Sequence, residues 1–473
     1  MQWTSRFRLT AFVLILSALT IVLYARTLRQ PFVQDDWTVL QEIRTSSVSD
    51  YLFHALSPWD KILYRPLAKV GFLLTFHLFG FHPLGFHLLA LVIHIVNSIL
   101  VAFVVERVGG KRGIAAAVGV LYAAGTTIHA DTLLWIVGLY DLWAVLFFLT
   151  SLLLYFGRKP ALSAAAFLFS VLTKEVVAPL WLVFLFHALL LDRSKLRLLR
   201  WHGVVIVAYA FLRLLGANIL DVAGSHPYRV ELTGMHLVAN AGNFVRWALQ
   251  TLFPLWSPSP RLGSVILVLA LALLGFVLVF RGGDGGRSRL SEAAFFILWA
   301  IAGVLPAMLL THHLFRYYAV YSLAPVLVLA VIYGETILPV RLHRYAGILL
   351  LVFLAANVAG NWISFNHRFD VEPSSVAEFD GTNHLIRKGV AVHNVRSQLL
   401  LRYPSLPPGT RLVISGTDLE AFGKHYGPRL WYADSTLSVF SPAEYDSMNA
   451  LMGERGKGAL FLRFDGDSIT HLP

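Results

Sequence analysis

Two adjacent acids, Asp35 and Asp36, stand in the stretch Gln30-Pro-Phe-Val-Gln-Asp-Asp-Trp37, just beyond an apolar run near the start of the chain. Paired carboxylates can deprotonate a hydroxyl or hold a divalent cation, because each acid tunes the proton affinity of the other. The same dipeptide also suits an ordinary solvated loop. Tyr64-Arg65-Pro66-Leu67 presents a guanidinium that can face a phosphate or snorkel to lipid headgroups. Ile128-His129-Ala130-Asp131, followed by Trp135, Gly138, Tyr140 and Asp141, reads as a short connector between apolar runs. Ionisable groups there are costly unless they serve a site, or form an interhelical hydrogen-bonded pair. Thr173-Lys174-Glu175 is a third acid-bearing turn, readable also as a plain polar turn. Arg213, Arg246 and Arg316, the last in His312-His313-Leu314-Phe315-Arg316-Tyr317-Tyr318, fall at similar depth. Cations at one depth suit a phosphate or pyrophosphate at a membrane boundary, and snorkelling accounts for each separately.

His77, His82, His87 and His94 lack the i, i+4 spacing that brings two imidazoles together on a helix. They read as polar packing, with His87, His94 and Ser98 on one helix face for interhelical hydrogen bonds. No P-loop, dinucleotide fingerprint or zinc-protease motif occurs. Absence of cysteine excludes disulfides, thiolate metal sites and thiol nucleophiles.

The elements that must position these residues are membrane helices. The 473 residues are 57% hydrophobic and only 14% charged, with a mean hydropathy of +0.65, against roughly 25% charge in soluble domains. Apolar runs approach the roughly 20 residues a helix needs to cross a bilayer, and backbone groups in lipid must bond internally. The net charge of +12 is scattered in short clusters between those runs, so it reads as orientation signals and gives no nucleic-acid face. The first run follows Arg6 and Arg8 without a small-x-small cleavage pattern, and reads as a retained helix.

Alternating the positive-inside bias predicts about eleven crossings, at residues 9–25, 84–105, 113–128, 133–156, 161–173, 176–191, 203–220, 262–280, 292–311, 317–338 and 346–364. The N-terminus is then inside and the C-terminus outside. Residues 67–79 and 244–256, the latter interrupted by Arg246, break this parity and read as interfacial helices on the outer face. Beyond about residue 365, Asp, Glu, Pro, Ser and Gly return and no run is long enough to span. Strands are expected at 410–415, 429–432 and 458–464, and helices at 374–402 and 442–453. The expected fold is therefore a membrane all-α, polytopic bundle over residues 1–364, whose first outer loop is 26–83, followed by a small α/β extracytoplasmic domain over 365–473.

The order of these motifs resembles the GT-C superfamily of membrane glycosyltransferases, and within it the protein O-mannosyltransferases and the transmembrane O-mannosyltransferases with tetratricopeptide repeats. The matching stretches are Phe32-Val-Gln-Asp35-Asp36, Tyr64-Arg65-Pro66-Leu67, Gly85-Phe86-His87-Leu88-Leu89 with His94 and Asn97, and His129-Ala130-Asp131 through Trp135. Gly138-Leu-Tyr-Asp141-Leu142, Leu172-Thr173-Lys174-Glu175 and Phe315-Arg316-Tyr317-Tyr318 follow, so the likeness covers roughly residues 30–330 in order. The resemblance implies a polyprenyl-phosphate sugar donor and direct, inverting transfer to a hydroxyl on a protein, lipid or glycan at the outer face. By it, Asp35 is the base, with Asp36 as alternative or orienting partner. Arg65, Arg213, Arg316 and Tyr317 hold the departing phosphate, and His129, Asp131, Lys174 and Glu175 line the pocket. Some members of the superfamily bind a divalent cation through first-loop acids, while the protein mannosyltransferases do without one. Departures are Asp131, where many relatives carry Glu, and a C-terminal region without tetratricopeptide pattern. A bacterial inner membrane is the expected location. The rival readings are a transporter or flippase of lipid-linked sugars, which would show internal repeats and broken helices at the midplane, and a non-catalytic membrane anchor.

Overall fold

The computed structural model describes residues 6–59, 63–216, 226, 228–256, 259, 261–266, 284–337, 340–370, 381–452, 459–465 and 468–471. Helix α1 (Arg6–Tyr24) leads into a first loop that carries α2 (Asp35–Thr45) and α3 (Val48–Leu56). Then come α4 (Pro66–Phe79), α5 (Pro83–Val108), α6 (Arg112–Ala124), α7 (Thr126–Leu134), α8 (Leu139–Phe156), α9 (Pro160–Thr173), α10 (Trp181–Leu190) and α11 (Arg200–Leu214). After them follow α12 (Met235–Leu252), α13 (Asp284–Met308), α14 (Val320–Ile337) and α15 (Ala346–Asp370). Proline opens α4, α5 and α9, where its missing N–H has no intrahelical partner to lose and its fixed φ suits the first turn.

Five helical stretches among the described residues are long and apolar enough to cross a bilayer: Leu9–Arg29, Pro83–Val108, Ile136–Phe156, Leu290–Met308 and Arg341–Asp370. The bent pair α6 and α7 makes a sixth if it counts as one span. The chain is thus an integral membrane protein with several crossings. The expected crossings at 161–173, 176–191 and 317–338 correspond to shorter apolar helices, and 203–220 corresponds to α11. Most of the expected crossing at 262–280 lies outside the described residues. Residues 67–79 form α4, an apolar helix of 14 residues, and the segment expected at 244–256 belongs to α12, which begins nine residues earlier.

One expectation about the site changes here. His129 and Asp131, read as a connector, lie within α7, which turns 51° from α6 at Gly125. Asn361 of α15 stabilises the break, because its side-chain oxygen accepts from the Thr126 amide at 3.1 Å and from the Thr126 hydroxyl at 2.8 Å. Gly125 is required by close approach: a Cβ there would lie 2.9 Å from Cγ2 of Thr251.

The C-terminal unit contains α16 (Gly381–Arg402), α17 (Tyr426–Trp431) and α18 (Pro442–Met452). Its sheet has strands β1 (Arg411–Ser415), β2 (Ser438–Phe440), β3 (Ala459–Asp465) and β4 (Ser468–His471) in the order β2-β1-β3-β4. β1 runs parallel to β2 and β3, and β4 pairs antiparallel with β3. The strand expected at 429–432 is instead the helix α17. Four apolar-rich residues do not distinguish the two states, and Pro428, which cannot donate to a ladder, sits harmlessly in a first helical turn. The first residues of the helix expected at 374–402 fall outside the described residues. One apolar core joins the first loop to this unit, running from Phe32, Trp37 and Leu40 to Leu412 and Phe464.

Candidate active site

The two first-loop acids occupy opposite environments. Gln34, just before them, has φ +54 and ψ −122, a conformation that side chains other than glycine rarely adopt and that costs on the order of 1–3 kcal/mol. It is held by a hydrogen bond from its amide to the carbonyl of Ala421, 2.9 Å away in the C-terminal unit. The chain then enters α2, and Asp36 turns inward. It is fully buried, and its carboxylate accepts from the Val33 amide at 2.8 Å and, with its other oxygen, from the Val137 amide at 3.0 Å. Asp36 thereby stitches the first loop to the turn between α7 and α8. Burial pushes its carboxyl up to about 8, against the pull of those two amides.

Asp35 points the other way. It is exposed and accepts no hydrogen bond among the described residues. Surrounding protein raises its carboxyl above the usual carboxylate range, against the lowering fields of Lys388 on α16 and of Arg65. The dipeptide read as one pair is therefore one anchor and one available carboxylate.

Arg65, at the start of α4, forms a two-pronged ion pair with Glu175, Nε to Oε2 at 2.7 Å and Nη2 to Oε1 at 2.5 Å. Next to it in sequence, buried Lys174 pairs with Asp141 of α8, whose second oxygen accepts from the Tyr321 hydroxyl at 2.9 Å. The Lys174 ammonium also lies 4.8 Å from the ring centre of Tyr317 and 5.6 Å from that of Tyr318, a cation–π arrangement. Asp141, which belongs to the matching motif and not to the expected site residues, holds Lys174. Its signal was the family stretch Gly138 to Leu142.

The cations expected to act together fall into two groups. Arg213 and Arg65 both act electrostatically on Tyr209 of α11, beside Glu175. Arg316 lies instead within electrostatic range of Arg246 on α12, Arg368 on α15 and Asp131 on α7. Arg368 escaped the sequence reading because it follows the expected end of its crossing. Buried Asp131 has no hydrogen bond to either carboxylate oxygen among the described residues, and buried His129 lies near it in the sequence on α7. The His129 ring sits 4.3 Å from that of His94 and 4.6 Å from that of Tyr122. His87 and His94 make the interhelical bonds expected of them, to the carbonyls of Leu133, Gln30 and Ala123.

An apolar cleft of about 330 Å³ opens between α12, α13 and α14, lined by Phe244, Ala248, Leu252, Val304 and Leu323. Arg246 lies within one helical turn of Phe244 and Ala248, and Arg316 lies three residues before the cleft residue Ala319. Among the described residues no group of three or more His, Asp or Glu side chains is arranged to hold a metal.

No protein-family model matches the sequence, and no curated protein matches it. Solved structures do match. ArnT from Cupriavidus metallidurans bound to undecaprenyl phosphate is 13% identical, over 96% of this chain and 93% of that one, with a TM-score of 0.52. The apo state of that protein is 15% identical over the same shares, with a TM-score of 0.44. The Archaeoglobus fulgidus oligosaccharyltransferase in complex with Zn and sulfate is 13% identical over 96% of this chain and 67% of that one, with a TM-score of 0.45. The likeness to the lipid-bound ArnT shows a shared fold.

Proposed function

We propose that this chain of GT-C fold is an inverting glycosyltransferase that moves a sugar from a polyprenyl-phosphate donor to a hydroxyl acceptor at the outer face of a bacterial inner membrane. Its residues up to 364 form the transmembrane catalytic part, with about eleven crossings and the N-terminus in the cytoplasm. Residues 365–473 form a periplasmic domain. The observation that carries this reading is the division of labour between the first-loop acids: Asp36 is consumed by two amides, while Asp35 keeps a carboxylate without hydrogen-bond partners among the described residues.

In the proposed reaction, Asp35 takes the proton from the acceptor hydroxyl as its oxygen attacks the anomeric carbon. The bond from that carbon to the phosphate oxygen breaks, polyprenyl phosphate leaves with the electron pair, and the configuration inverts. Positive charge fixed in advance stabilises the departing phosphate without reorganisation. Arg316, with Arg246 and Arg368 in range, is the group that supplies it. The apolar cleft suits the isoprenoid tail, and a fold shared with a protein that binds undecaprenyl phosphate supports the same donor class. Arg65 and Arg213 form a second cationic wall toward the sugar phosphate. Tyr317, held by the Lys174 ammonium, packs against the donor, and His129, Asp131, Lys174 and Glu175 line the pocket.

The test is sugar release from labelled polyprenyl-phosphate sugars by the purified protein in lipid. Asp35→Asn is expected to lower turnover by about 10²- to 10⁴-fold, the usual contribution of a positioned general base, with folding intact. Absence of turnover with every donor, or full turnover in Asp35→Asn, would overturn the assignment.

A further inference from the structure

A second cavity, of about 450 Å³, lies between the first loop, the turn joining α4 to α5, and α16. Phe32, Trp37, Phe81 and Trp431 supply its apolar wall, and His393 and Arg396 of α16 supply charge and polarity. Trp37 meets Trp431 and Phe32 edge to face, at 5.6 Å in each case, so the wall is a packed aromatic surface. On α16, Val392, Arg396 and Leu400 recur every fourth residue, which places them along one face. Arg396 is exposed and makes no ion pair or hydrogen bond among the described residues.

Phe81 itself is 43% exposed, and its neighbours in the chain include Leu78 at 75%, Leu84 at 50% and Leu88 at 44%. In an integral membrane protein such a surface is covered by lipid. The cavity therefore meets lipid-facing surface on one side and an unneutralised guanidinium on the other. A soluble anion would leave the aromatic wall unfilled, and a neutral lipid would leave Arg396 without a counter-charge. An anionic lipid satisfies both, through a charge-assisted bond from guanidinium to phosphate and burial of acyl methylenes.

We propose that this cavity binds an anionic membrane lipid, its phosphate on Arg396 and His393 and the first carbons of an acyl chain against Phe32, Phe81 and Trp431. The bound lipid ties the α4–α5 turn to the C-terminal unit.

The site can be read locally by photo-crosslinking the full-length protein, with Phe81→p-benzoylphenylalanine, in nanodiscs of equal phosphatidylglycerol and phosphatidylcholine. Phosphatidylglycerol adducts are expected to exceed phosphatidylcholine adducts by about five-fold, the order of preference one basic side chain confers near a membrane surface. Arg396→Gln, a change at an exposed side chain without partners among the described residues, is expected to remove that excess. The same probe at Leu84, outside the cavity, should label both lipids equally. Equal adducts at 81, an excess that survives Arg396→Gln, or no lipid adduct at 81 while 84 labels normally would each overturn the proposal. Asp35→Asn should keep the lipid preference, so the result stands or falls apart from the transferase reading.

Discussion

At the scale of single residues, the adjacent acids make opposite predictions. Asp36→Asn replaces one acceptor oxygen by an amide group that donates toward a backbone N–H, leaving a buried donor unsatisfied at a cost of about 1–3 kcal/mol. Thermal unfolding in lipid should show that loss, whereas Asp35→Asn should unfold with the wild type. In the proposed mechanism the pH dependence of turnover belongs to Asp35. Desolvation by the surrounding protein raises its carboxyl, so the acidic limb of the rate profile should lie above the ordinary carboxylate value of about 3.9. Lys388 favours the ionised form, so Lys388→Gln should move that limb to still higher pH. A limb that stays put, or moves down, would detach Lys388 from the base.

Among the elements, the break between α6 and α7 decides where His129 and Asp131 sit. Gly125→Ala would press a methyl against Thr251 Cγ2 at 2.9 Å and a Leu323 methyl at 3.3 Å. Overpacking of this kind costs typically 1–3 kcal/mol, and a lowered unfolding temperature with reduced turnover is expected. The Arg65–Glu175 pair likewise fastens α4 to the turn after α9. Glu175→Gln should destabilise the protein by leaving a largely buried guanidinium without its counter-charge. The Arg65→Glu, Glu175→Arg exchange should recover part of the stability and none of the turnover, a double-mutant comparison that separates the structural bond from the proposed role in phosphate binding.

For the whole molecule, the first loop is shaped by the C-terminal unit. Besides the Gln34–Ala421 bond, the Gln30 side-chain amide donates to the Leu385 carbonyl at 2.7 Å, and Gly389 passes so close that a Cβ would lie 2.5 Å from Gln30 Nε2. The strain at Gln34 persists because these contacts over-determine it. Trp431→Ala, which removes the edge-to-face partner of Trp37 at a partly buried position, should lower the unfolding temperature. It should also speed amide hydrogen exchange through residues 30–37; unchanged exchange there would mean that the loop holds its shape alone.

Much of this protein was legible in its sequence because hydropathy and motif order are local or sequential properties. The apolar runs at 9–25, 84–105, 133–156, 292–311 and 346–364 all coincide with helices able to span a bilayer, since lipid admits few other backbone solutions. The order of motifs also led to the fold. What the residues alone left open were choices made by long-range contacts. A dipeptide cannot state which acid faces inward; amides at 33 and 137 decided that for Asp36. Depth groups Arg213, Arg246 and Arg316 together, whereas packing added Arg368 to Arg316 and Arg246 and set Arg213 with Arg65 around Tyr209. The residues expected as a strand at 429–432 instead end the helix α17, where Trp431 meets Trp37, nearly four hundred positions away in the chain.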